Sequence, residues 1–135
     1  MKSIQFIGTQ RSGSNLLRVM LNQHPRISAP HPPHILQVMM PFLKMYGDLS
    51  RDENFRALVD DVCTLVERNP VNWDVHFVRD EVTRRCTNRS LPQVMKAVYE
   101  IKAQEKNADI WCCKSMASVF YMNEITAADI TPLWL

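Results

Sequence analysis

The chain has 135 residues, enough for one domain with a modest core. Its 46% apolar and 22% charged residues are those of an ordinary globular protein, which excludes a disordered or low-complexity chain. A formal net charge of +2 points to no partner globally, so only the local clustering of charge is informative.

A short apolar run, Ile4-Gln5-Phe6-Ile7, reads as a buried strand. After Gly8-Thr9-Gln10-Arg11-Ser12-Gly13-Ser14-Asn15 the spacing predicts a helix from about Ser14 to Gln23. Leu16, Leu17, Met20 and Leu21 fall on one side of it, Arg18 and Asn22 on the other. His24-Pro25 ends that helix, because a residue before proline avoids the helical region. Ile27 to His34 is a proline-rich connector, extended and stiff, carrying His31 and His34.

From Ile35 the pattern turns helical as far as Met45, with Pro41 kinking or splitting it. Gly47 to Ser50 is a turn. Asp52 to Arg68 is the clearest helix, since Phe55, Leu58, Val59, Val62, Leu65 and Val66 repeat at three and four. A short helix from Asp80 is expected. Ser90 opens another, with Gln93 as its capping-box partner and Val94, Met95, Val98 and Ile101 as its apolar face. Asp109 to Cys113 reads as a second buried strand closed by Lys114-Ser115. A short helix over Ala117–Ile125 and a third strand beginning at Pro132 complete the chain. Strands separated by helices imply parallel pairing through helical crossovers, an α/β architecture. Ligands in such sheets sit at the carboxyl ends of strands, where Gly8–Asn15 and Lys114-Ser115 both fall.

A glycine-bearing turn between strand and helix is an anion cradle. The helix start presents free N–H groups and partial positive charge. Gly8 and Gly13 permit positive φ, Ser12 and Ser14 add hydroxyls, and Arg11 adds a fork-shaped cation. The turn has the outline of the nucleotide-binding motif G-x-x-x-x-G-K-[ST]. However, Ser14 stands at the lysine position and Asn15 at the magnesium-binding hydroxyl, which argues against a nucleotide hydrolase. No acidic residue precedes Asp48, whereas Lys2, Arg11, Arg18, Arg26 and Lys44 do, so the first third suits an anionic ligand.

Arg11-Ser12-Gly13-Ser14-Asn15-Leu16-Leu17-Arg18, continuing to His24-Pro25, resembles the opening motif of sulfotransferases that use 3′-phosphoadenosine 5′-phosphosulfate (PAPS). The likeness is closest to the tyrosylprotein and bacterial branches, and it implies that this loop grips the 5′-phosphosulfate. Asn15 departs from the usual hydroxyl residue but can still donate. Cys113-Lys114-Ser115-Met116 resembles the segment whose lysine faces the transferring group. Met116 stands where the cytosolic branch has its base histidine, so the base lies elsewhere. Aligned from the arginine, the tyrosylprotein base segment falls on Pro30-His31-Pro32-Pro33. Its glutamate lands on Pro32 and a neighbouring glutamate on His31, making His31 the first candidate base and His34 the second.

The resemblance thus implies sulfuryl transfer from PAPS to a hydroxyl or amine acceptor, without a metal. The fold expected is a P-loop-like parallel sheet. Family domains are longer, and their 3′-phosphate motif follows a strand corresponding to the last one here. Residues 1–135 are therefore expected to form a partial domain, the 5′-phosphosulfate-binding half, inactive or weak alone. The competing expectation is a non-catalytic phosphate- or nucleotide-binding remnant, which a homo-oligomer pairing through the open sheet edge would suit.

The remaining features read as structural. Cysteines 63, 86, 112 and 113 form neither a zinc pattern nor a disulfide framework, so reduced thiols in a cytoplasmic protein are expected. No apolar run spans a membrane, and the strand at the N-terminus leaves no room for a signal peptide. His24, His31 and His34 lack acidic partners and sit among rigid prolines, which argues against a metal site. Arg84, Arg85 and Arg89 lack interleaved aromatics, so no nucleic-acid partner is expected.

Overall fold

The computed structural model describes residues 1–8 and 13–135. Its centre is a parallel sheet of four strands: β1 (Lys2–Gln5), β2 (Ile27–Ser28), β3 (Ile110–Cys113) and β4 (Leu133–Trp134). Their order is β2-β3-β1-β4, so β3 and β1 lie side by side in the middle. Each pairing joins strands separated by helical crossovers, as the alternation of apolar runs and helical periodicity requires. β2 corrects the reading of Ile27 to His34 as connector throughout: Ile27 and Ser28 pair with Ile110 and Trp111 before the prolines begin.

The helices are α1 (Ser14–Asn22), α2 (Ile35–Met39), α3 (Asp52–Glu67), α4 (Arg79–Arg85), α5 (Leu91–Glu105) and α6 (Met122–Ala127). Pro41 does split its stretch, since α2 passes at Met40 into a 3-10 turn reaching Tyr46. A second 3-10 turn, Met116–Tyr121, precedes α6. At the start of α5 the Ser90 Oγ accepts from the Gln93 N–H at 3.4 Å. The reciprocal half of a capping box is absent, because the buried Gln93 Oε1 accepts instead from the Thr87 N–H at 3.2 Å, while its NH2 group donates to the Ala128 carbonyl at 2.6 Å.

Alternation along the central strands sends side chains to two unequal cores. Trp111 and Cys113 face the larger one, made by α2 to α6 and containing Phe55, Leu58, Val62, Val94, Val98 and Tyr99. Ile4, Phe6 and Cys112 face the smaller one with Ala29 and Met116, and Leu21 of α1 packs against it.

The orientation of α1 departs from expectation. Leu16 and Met20 are 65% and 61% exposed, and no residue of α1 is fully buried. The half-buried positions are Ser14, Arg18, Leu21 and Asn22, spaced by four, three and one. Polar anchors select this face. The Asn22 Oδ1 accepts from the Ala29 N–H at 2.8 Å, and the Arg18 guanidinium donates to the Ala29 carbonyl oxygen. Both main-chain groups of buried Ala29 are paired in this way, and Leu16, Leu17 and Met20 are left facing outward.

Candidate functional site

Three segments leave the carboxyl ends of neighbouring strands: the one joining β1 to α1, the His31–His34 stretch after β2, and Lys114-Ser115 after β3. The last two meet where His34 contacts Ser115. The register sets their level: Gln5 is opposite Cys113, and the Phe6 N–H donates to the Cys113 carbonyl at 3.1 Å. Arg11 and Ser12 lie outside the described residues. Gly13 precedes α1 in the left-handed conformation, φ 84°, and a Cβ built there would meet nothing within 4 Å. Among the described residues nothing crowds that position and no side chain caps the helix start. Ser14 and Asn15 occupy the first turn. The Asn15 Oδ1 accepts from the Arg18 Nε at 3.2 Å, so its NH2 end is the one left to donate.

The histidine stretch is fixed at several points. Arg18 and Asn22 clamp Ala29, as described. The Trp73 indole N–H donates to the His31 carbonyl at 2.7 Å. Pro32 and Pro33 are buried between the two half-buried imidazoles. His34 starts α2 with φ 58° and ψ 44°, a left-handed conformation in which histidine is over-represented yet still strained by about 1–2 kcal/mol. That backbone turns its ring toward β3, where Nδ1 lies 3.1 Å from the Ser115 Oγ.

Electrostatics bind the group together. The His31 pKa is lowered below its usual 6.5, first by desolvation and then by the nearby Arg18 and Lys114 cations. Desolvation likewise lowers the His34 pKa, with His31 and Lys114 adding to it. Both imidazoles are thus held neutral in a positive field, the state in which one can accept a proton and the other donate a hydrogen bond. Among the described residues Lys114 forms no salt bridge.

The structure therefore brings His31, His34 and Lys114 together with Arg18, which Asn15 in turn contacts, while Gly13 and Ser14 stand at the start of the same helix. Sequence reading missed two members. Arg18 was assigned to the outer side of α1, although its four-residue spacing from Ser14 puts both on one face. Ser115 figured only as the end of a strand, and nothing local reveals a partner 81 residues away. The cysteines are structural. Burial pushes the thiols of Cys63 and Cys112 up to about 12 and that of Cys86 up to about 11, and no cysteine is bonded to another. His76 is exposed and approaches Glu67 at 3.0 Å, away from this cluster.

Among the described residues no set of three histidine, cysteine or carboxylate groups is placed to hold a metal. No helix there is long and apolar enough to cross a membrane. A model of the sulfotransferase family matches residues 4–128, from β1 to the end of α6. No curated protein and no solved structure matches the chain.

Proposed function

Because this chain belongs to the sulfotransferase family, we propose that its site transfers a sulfuryl group from PAPS to a hydroxyl or amine acceptor. One observation carries the reading. Among the described residues, a helix start without a side-chain cap, two neutral imidazoles and a lysine without a salt bridge all lie at the carboxyl ends of adjacent parallel strands. The residues fit an anionic donor. The room beside Gly13 suits close approach of a phosphate, and no carboxylate lowers or raises the pKa of either histidine.

The roles follow from the chemistry required. The Arg11 guanidinium and the main-chain N–H groups at the start of α1 hold the 5′-phosphosulfate, with Ser14 and Asn15 donating to its oxygens. His31 takes the proton of the acceptor hydroxyl. As that proton leaves, the acceptor oxygen bonds to sulfur, and the bond from sulfur to the bridging phosphate oxygen breaks with its electron pair on that oxygen. Lys114 offsets the charge that develops there, and 3′-phosphoadenosine 5′-phosphate is released. His34 is the second histidine of the site. The free thiols accord with a cytoplasmic setting.

Calorimetric titration with 3′-phosphoadenosine 5′-phosphate, alongside ATP, tests the reading. Preferential binding of the former, lost on Arg11→Ala, is expected. Equal binding of the two, or none, would remove the donor assignment. His31→Ala separates an enzyme site from a non-catalytic nucleotide site: it should spare binding and abolish transfer of labelled sulfate to hydroxyl acceptors.

A further inference from the structure

We propose that Ser115 is a positioning residue that fixes His34 as the neutral tautomer protonated on Nε2, making His34 a hydrogen-bond donor to a charged donor-substrate oxygen and leaving His31 alone as base. The inference rests on the sulfuryl-transfer reading for its purpose, but not for its geometry.

The protons available to the Ser115–His34 pair decide the tautomer. Ser115 is only 2% exposed, and among the described residues its hydroxyl has one side-chain partner, the His34 Nδ1 at 3.1 Å. A serine hydroxyl carries a single proton, and a neutral imidazole has one N–H and one bare nitrogen. If Nδ1 were protonated and pointed at Oγ, the serine proton would be left without an acceptor among the described residues. Unmade donors inside a protein are the expensive half of the hydrogen-bond balance. If Oγ–H donates to a bare Nδ1, both groups are satisfied and the imidazole proton must sit on Nε2. A bare Nδ1 locked against a hydroxyl cannot receive a substrate proton, and a protonated Nε2 has no lone pair to offer.

The surroundings keep this tautomer from charging. Lys114 and His31 lie close enough to the ring to lower its pKa, so both oppose a positive charge on it. The left-handed backbone at His34 and the 3-10 turn after Ser115 fix the two sides of the contact, the latter through the Ser118 N–H donating to the Ser115 carbonyl at 3.0 Å. By contrast, the His31 ring has no hydrogen-bond partner among the described residues. Only its main-chain carbonyl is engaged, by Trp73. Two imidazoles with lowered pKa thus take different tasks because one is tied to a hydroxyl and the other is not.

Long-range proton–nitrogen correlation of the ¹⁵N-labelled chain at pH 7.5 tests this without any need for turnover, with His34→Gln assigning the signals. The expected spectrum shows His34 with bare Nδ1 and protonated Nε2, in about tenfold excess or more over the other tautomer. Ser115→Ala should collapse that excess, and Ser115→Thr, which restores a hydroxyl, should recover it. A His34 protonated on Nδ1, or an excess that survives Ser115→Ala, overturns the proposal. Should Ser115→Ala not fold, the parent spectrum together with Ser115→Thr decides between the same two results. Failure of the chain to bind 3′-phosphoadenosine 5′-phosphate would instead overturn the sulfuryl-transfer reading, with the tautomer result unaffected.

Discussion

The Arg18 guanidinium donates to the Ala29 carbonyl oxygen at 2.8 Å and, with the Asn22 Oδ1 on the Ala29 N–H, ties the helix that follows β1 to the histidine stretch that follows β2. Ala29 is fully buried, so its carbonyl has no water to turn to. Arg18 also contributes to lowering the His31 pKa. Arg18→Met keeps the aliphatic stem and removes both effects. The expected outcome is a stability loss of about 1–3 kcal/mol, from the orphaned carbonyl. His31 should also titrate closer to 6.5. Urea unfolding and NMR titration measure the two. A stable variant with an unmoved His31 would mean that the clamp is incidental.

Gly13 gives a second prediction. Gly13→Ala has space for its methyl group but must adopt φ 84°, which costs an L-residue about 1–2 kcal/mol. The methyl group also occupies the volume through which a phosphate would reach the helix start. Affinity for 3′-phosphoadenosine 5′-phosphate should therefore fall more than the stability change alone explains, by roughly tenfold or more. Calorimetry beside a thermal melt separates these contributions.

The histidines make a prediction about pH. Both are held neutral, so the free protein should show His31 and His34 titrating below 6.5. The folded pKa values lie below the unfolded ones, so their contribution to stability is complete above pH 6.5. It is lost as pH falls from 6.5 through the folded values. A bound anion reverses part of the electrostatic cause, so 3′-phosphoadenosine 5′-phosphate should raise both values. NMR titration with and without it is the measurement, and unchanged values on saturation would place the anion elsewhere.

Glu67 controls acid stability away from the site. Its side chain is 16% exposed, takes two bonds at 2.7 Å from Arg79, and accepts from the Phe77 N–H at 2.8 Å. These contacts, led by Arg79, lower its pKa below the usual 4.5. A depressed carboxylate stabilises above the unfolded value, and that stabilisation is lost as pH falls from about 4.5 through the folded value. Glu67→Gln should cost about 1–3 kcal/mol at pH 7 and flatten the pH dependence below 4.5, read from urea midpoints.

What could be read from the residues depended on how local the cause was. β1, α3, α5 and β3 each carry their own apolar pattern, and α5 its Ser90 cap as well, so the parallel α/β plan was legible. β2 was not, because Ile27-Ser28 is too short to show alternation and only pairing with Ile110 and Trp111 defines it. The face of α1 was misread. Leu16, Leu17 and Met20 signal burial, yet Arg18 and Asn22 are held inward by the main chain of Ala29. Gln93 was recognised as a capping residue but not as the anchor of Ala128, a contact across 35 residues. In the proposed site, the types and spacing of Gly13, Ser14, Asn15 and Lys114 suggested anion binding from the sequence alone. The contact of His34 with Ser115 left no such signal, since it joins residues 81 apart.

The alignment of Gln5 with Cys113 works as a ruler. Phe6 and Lys114 emerge at one height from strands about 4.8 Å apart, and each added residue advances a strand by about 3.3 Å and turns its side chains over. Gaining or losing a single codon within β1 or β3 would therefore lift Lys114 out of step with the turn beside it and face it the wrong way. The same change in the exposed stretch between α3 and α4, around Val71 and Asn72, would leave that spacing untouched. Length variation among kindred chains should accordingly be crowded into that outer stretch and barred from the two middle strands.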